Sequence, residues 1–98
     1  MGFKDQYDFE QLVNEAERLV IDELERQLDA LSEPVCRCED CVLDMATLAL
    51  NAVKPLYRVS LLGSLYAAHA MDEASYAESL RKAVAAAIQR VRENPSHD

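Results

Sequence analysis

From Phe9 onward the apolar residues return at helical spacing: Leu12, Val13, Ala16, Leu19, Val20, Leu24, Leu28 and Leu31 keep to one stripe of an α-helix. Asp8 stands where an N-cap belongs, with Gln11 three positions on to answer it as in a capping box. Ser32-Glu33-Pro34 ends the run, because the residue before a proline is pushed out of the α region. The pattern predicts a first helix of about 24 residues, roughly 36 Å long, against a radius of gyration of about 13 Å for a compact chain of this size. Such a helix overhangs a monomer, and a second copy is the simplest cover, so a homodimer is expected. The other arrangement is a bundle in which the last helix runs alongside the whole of the first.

Two further helices are legible. Val42, Met45, Ala46, Ala49, Leu50 and Val53 form a second stripe that Lys54-Pro55 ends, with Asp40 as the expected N-cap. Tyr76, Leu80, Val84, Ile88 and Val91 form a third, alanine-rich and ended by Asn94-Pro95. Leu56 to Tyr66 is too irregular for a helix and reads as an extended or turn segment with one short strand. A further element starts near Ser64 or Leu65 and breaks at Met71-Asp72-Glu73. The expected fold is mainly α: one small helical domain over residues 1–98, with its core at about 8–93, a long N-terminal helix, a Cys-rich knuckle and a long C-terminal helix. At 98 residues the chain suffices for one core and not two.

The net charge is −8, and the acids crowd into the first third, where Lys4, Arg18 and Arg26 alone answer them. Duplex nucleic acid is a poor partner for such a surface, since binding it depends on lysines and arginines displacing counterions. No apolar run has the length of a membrane span and the acidic start does not resemble a signal peptide, so a cytoplasmic location is expected. No Gly-rich phosphate loop or nucleophile elbow is present, and the chain reads as non-enzymatic.

Cys36-Arg37-Cys38-Glu39-Asp40-Cys41 lies between a proline-stopped helix and the start of the next. Three clustered cysteines make a poor disulfide framework and a better metal or thiol site. Cys38 and Cys41 have the spacing of a metal knuckle and Cys36 can add a third thiolate. Structural zinc takes four ligands, so one more is required, from His69, His97, Asp40, Asp44, a water or a second chain. Two other readings stand beside it: inert reduced thiols, and a redox switch in which a helix N-terminus lowers a thiol pKa. Arg37, Tyr57 and Arg58, with Lys54, could also make a cationic and aromatic pocket for a phosphate-bearing base.

Taken together, Cys36-x-Cys38-x-x-Cys41, Leu43-Asp44-Met45-Ala46-x-x-Ala49-Leu50-Asn51 and Pro55-x-Tyr57-x-Val59-x-x-x-Gly63-x-x-Tyr66 resemble the late competence development protein ComFB family over roughly Val35 to Tyr66. The resemblance implies a small, mainly helical bacterial dimer with cysteine-bound zinc and no enzymatic activity. Some members are encoded among late competence genes, and some cyanobacterial ones are described as receptors for cyclic dinucleotides. On this resemblance Cys36, Cys38 and Cys41 are metal ligands, and Asp44, Asn51, Pro55 and Tyr57 are pattern positions without an assigned role. The chain departs from the family at Lys54-Pro55-Leu56-Tyr57-Arg58-Val59-Ser60, where two prolines and a Tyr-Val-Val-Thr-like strand are usual, and in its alanine-rich C-terminal helix.

Overall fold

The computed structural model describes residues 2–59, 69 and 73–95. A four-residue helix α1 (Phe3–Gln6) is followed by a 3-10 turn (Phe9–Gln11), a short strand β1 (Val13–Asn14) and helix α2 (Ala16–Ala30). Then come helix α3 (Glu39–Ala52), a short strand β2 (Tyr57–Arg58) and helix α4 (Ala74–Glu93). The architecture is mainly helical, as expected. The element expected from Ser64 to Met71 lies outside the described residues, save for His69, which is helical.

Each long helix buries a row of residues four apart. These are Ala16, Val20, Leu24 and Leu28 on α2, Cys41, Met45 and Ala49 on α3 with Val53 at its end, and Leu80, Val84 and Ile88 on α4 with Ala87 and Val91. Side chains four apart stack on one helix face, so each row presents a ridge to its neighbours. The rows meet in one apolar cluster, in which α3 packs most extensively against α4 while α2 lies against both.

The first helix is shorter than its apolar pattern predicts. Asp8 accepts from the Glu10 amide at 3.1 Å and from Gln11 Nε2 at 3.4 Å, so Asp8 does act as a cap and meets Gln11 through its side chain, without the reciprocal bonds of a capping box, and it caps only the 3-10 turn. The chain then extends through β1, which pairs antiparallel with β2 in the register Val13 to Arg58 and Asn14 to Tyr57. Asn14 joins the two parts. Its Oδ1 accepts from the Ala16 amide at 3.1 Å, satisfying a donor at the start of α2, and from the Leu56 amide at 2.7 Å. The Glu15 amide donates to the Leu56 carbonyl at 2.8 Å. At 15 residues, α2 is about 22 Å long and does not produce the overhang expected of a 24-residue helix.

Helix α4 closes as its sequence suggests, with the Asn94 amide donating to the Arg90 and Val91 carbonyls. Tyr76 at its other end donates its hydroxyl to the Lys54 carbonyl at 2.9 Å, which ties the start of α4 to the chain leaving α3. Burial pushes the Tyr76 phenol pKa up. Among the described residues, no helix is long and apolar enough to cross a membrane.

Candidate metal centre

Cys36 and Cys38 sit in the exposed connection between α2 and α3, and Cys41 lies in the first turn of α3 with its side chain in the core. The N-cap of α3 is Cys38, not Asp40: its Sγ accepts from the Cys41 amide at 3.4 Å. A sulfur facing a backbone amide is the hydrogen bond that a thiolate in a metal knuckle needs, so the helix start and the cysteine cluster are one feature. Glu39 and Asp40 occupy the first turn, where carboxylates complement the positive end of the helix dipole.

The three sulfurs lie within 4.8 Å of one another. Zinc–sulfur bonds of about 2.3 Å at tetrahedral angles place sulfurs about 3.8 Å apart, so closing on an ion requires contraction by about 1 Å or less. The donor set therefore fits zinc or a similar thiophilic divalent ion. Among the described residues, this is the one group of three or more His, Cys, Asp or Glu side chains disposed to hold a metal, and neither Asp40, Asp44 nor His69 belongs to it.

Two ion pairs hold the knuckle in place. Arg37 Nη1 donates to Asp29 Oδ1 at 3.0 Å, anchoring the turn to the end of α2. Arg92 pairs with Glu33, joining the end of α4 to the segment before the knuckle. Beneath, a cavity of about 110 Å³ is lined by Cys36, Cys41, Met45, Val91, Arg92 and Pro95, so the knuckle shares its floor with the C-terminal end of α4.

Two cations of the expected pocket, Arg58 and Arg37, are engaged toward opposite ends of α2. Arg58 pairs with Glu15 at the start of α2, whereas Arg37 pairs with Asp29 near its end, 14 positions on and about 21 Å away. Tyr57 is exposed beside Arg58. Arg58 borders a different cleft, of about 600 Å³, shared with Val13, Glu15, Arg18, Ile21 and Asp22. Its carboxylates make it a poor seat for phosphates. Glu15 is 5% exposed, held by Arg58 and by Arg18 at 3.2 Å. Glu15 directly precedes α2, at a position that the sequence pattern ran through as the interior of a helix from Phe9.

His69 pairs with Glu73 at 3.9 Å, next to the first residue of α4. The knuckle lies at the other end of that helix, by Val91 and Arg92, about 27 Å from Glu73 at 1.5 Å per residue. His69 is thus remote from the cysteines of its own chain. His97 lies outside the described residues.

The fold and the cluster define a small helical domain with a three-cysteine knuckle at a helix junction. The sequence pattern of the late competence development protein ComFB family matches residues 13–95, and the chain belongs to that family. It is similar in structure to the late competence protein ComFB from Bacillus subtilis, with a TM-score of 0.74 and 28% sequence identity over 87% of this chain and 92% of that one. No curated protein sequence matches the chain.

Proposed function

We propose that this chain is a non-enzymatic, zinc-pinned regulatory or adaptor domain that works as a homodimer in the reducing cytoplasm and engages a protein partner. The observation that carries the metal reading is the convergence of the Cys36, Cys38 and Cys41 sulfurs within 4.8 Å at the junction of α2 and α3. Zinc bound there supplies no reaction; it cross-links a turn that otherwise has little apolar burial of its own, and its binding energy becomes folding energy.

The dimer rests on exposed apolar surface instead of helix length. Leu12, Val13, Ile21, Tyr57 and Val59 are all more than a third exposed. They belong to the two-stranded sheet, its flanks and the outer face of α2. The molecule is flat, with extents of 47 × 36 × 17 Å and a radius of gyration of 15.5 Å, above the roughly 13 Å of a compact chain this long. A second copy covering this face would bring the assembly closer to ordinary globular compactness.

A cyclic dinucleotide remains the competing ligand. Within one chain, the engagement of Arg37 by Asp29 and of Arg58 by Glu15 favours the protein partner. Native mass spectrometry of protein purified under reducing conditions without added metal tests metal and subunit number together. The expected spectrum is a dimer with one zinc per chain; a metal-free monomer overturns both parts. Calorimetric titration with the common cyclic dinucleotides is expected to be flat, and a binding isotherm would replace the protein-partner reading with a nucleotide receptor.

A further inference from the structure

The arm ahead of the sheet carries large apolar side chains that the core does not use. Every residue from Gly2 to Leu12 is exposed, and neither α1 nor the 3-10 turn buries a side chain. Phe3, Tyr7 and Phe9 nonetheless pack on one another. Their ring centroids lie 4.9 Å apart for Phe3 and Tyr7, 5.9 Å for Phe3 and Phe9, and 6.2 Å for Tyr7 and Phe9. With fractional exposures of 69%, 58% and 44%, the three rings make one apolar patch that faces solvent. Single exposed apolar residues are ordinary, whereas a contiguous aromatic patch rimmed by polar groups marks a docking surface. The family pattern begins at residue 13, so the arm lies outside the part of the chain that matches it.

Charge indicates what covers the patch. Lys4 is the one cation between Gly2 and Leu12, against Asp5, Asp8 and Glu10. Asp8 caps the 3-10 turn, but among the described residues no ion pair engages Asp5 or Glu10. This is the reverse of Arg37 and Arg58, whose charges are already met by Asp29 and Glu15. Rings interleaved with carboxylates suit a guanidinium, which stacks flat on an aromatic face, donates to a carboxylate through its edge, and is more weakly hydrated than an ammonium. The same carboxylates repel a polyanion such as nucleic acid.

We propose that the N-terminal arm, from Phe3 to Glu10, is a docking site for an arginine-containing basic segment of a partner protein. This deepens the protein-partner reading above and rests on it. The rings are already packed on one another in the free chain, so little side-chain ordering is left to oppose binding.

Fluorescence anisotropy of a short labelled peptide alternating arginine with leucine, titrated with the full chain, tests this beside a lysine version of the same charge. The arginine peptide should bind, and the lysine version should bind more weakly, because an ammonium lacks the planar face that stacks on a ring. Phe3→Ser, Tyr7→Ser and Phe9→Ser combined should weaken the arginine peptide by at least about 10-fold, the loss of two or three stacked contacts. Thermal unfolding of that variant should be unchanged, since none of the three rings belongs to the core. Asp5→Asn with Glu10→Gln should weaken the peptide and flatten its salt dependence.

Equal binding by the triple variant would show that bulk negative charge alone attracts the peptide, and no binding by the parent chain would remove the basic segment outright. Either result overturns the arm assignment and leaves the protein-partner reading standing. Two other results overturn it by giving the rings a different occupant. One is loss of a dimer in sedimentation equilibrium of the triple variant, which assigns them to a second copy. The other is co-sedimentation of the parent chain, but not the triple variant, with phosphatidylcholine vesicles, which assigns them to a membrane surface. An isotherm in the cyclic dinucleotide titration would overturn the protein-partner reading itself, and this proposal with it.

Discussion

Replacing Cys38 by serine separates a metal knuckle from a cluster of inert thiols by the sign of its effect. Cys38 is exposed and caps α3 through its sulfur at 3.4 Å from the Cys41 amide. Serine is a better N-cap than cysteine, so without metal Cys38→Ser should be neutral or stabilise α3 by up to about 1 kcal/mol. With zinc bound, the same change removes one of the thiolates whose coordination stabilises the folded state. Zinc contributes about 10–16 kcal/mol in small zinc-finger peptides, and a loss of even about 3 kcal/mol is a modest share of that. In a domain of this size each kcal/mol moves the melting temperature by about 4–8 °C, so a fall of at least about 12 °C is expected. Thermal unfolding followed by circular dichroism, with and without a strong chelator, is the assay. The chelated unmodified protein should melt near chelated Cys38→Ser, and only the zinc-loaded pair should differ. Equal melting of the zinc-supplied proteins, or a higher melting point for the serine variant, would refute the reasoning and return the cluster to ordinary thiols.

Asn14→Ala removes the acceptor shared by the Ala16 and Leu56 amides and should destabilise the fold by about 2 kcal/mol in urea titration, while Asn14→Asp, which keeps an acceptor oxygen, should recover most of it. Arg58→Ala leaves the buried Glu15 with weaker compensation and should lower stability by about 1–3 kcal/mol; a variant as stable as the parent would show that Arg58 is not a structural partner of Glu15. Glu23 has its pKa held below the ordinary 4.5 chiefly by the hydrogen bond from Arg26, against burial, with Gln27 helping. Its contribution is therefore fully present above about pH 4.5 and is lost as pH falls through the lowered folded value. Glu23→Gln should accordingly flatten the stability profile below pH 4.5, and an unchanged acid limb would contradict this.

The helices that pack the core were legible because their signal is local. Met45 and Ala49 on α3, and Leu80, Val84 and Ile88 on α4, stand at i, i+4 spacing in sequence and bury at that spacing in the fold. The start of α2 was not legible for the opposite reason. Val13 fits a helical stripe as well as it fits a strand, and what makes it a strand is pairing with Arg58, 45 positions away. Asp8 and Asn14 are both good N-cap types, and their order of importance depends on the Leu56 amide, which only the tertiary fold brings to Asn14. The same long-range closure buries Glu15 and engages Arg58, a pairing that a helix running on from Phe9 would not foreshadow.

The cysteine cluster was legible by composition, yet its role in the fold was not. Asp40 is the conventional cap, and by residue type it outranks a cysteine. Cys38 takes the position because the Pro34 to Arg37 segment, tied down by Arg37 to Asp29 and by Glu33 to Arg92, delivers its sulfur to the Cys41 amide. Cys41 in turn is part of the row that packs with Met45 against α4. One end of the cluster is therefore exposed to whatever binds thiolates, and the other is continuous with the core. Occupancy by a metal would therefore be felt along α3 through Cys41 and Met45, and at the end of α4 through Val91 and Arg92 across their shared cavity. Through that continuity, a metal bound at this junction would bear on the stability of the whole domain.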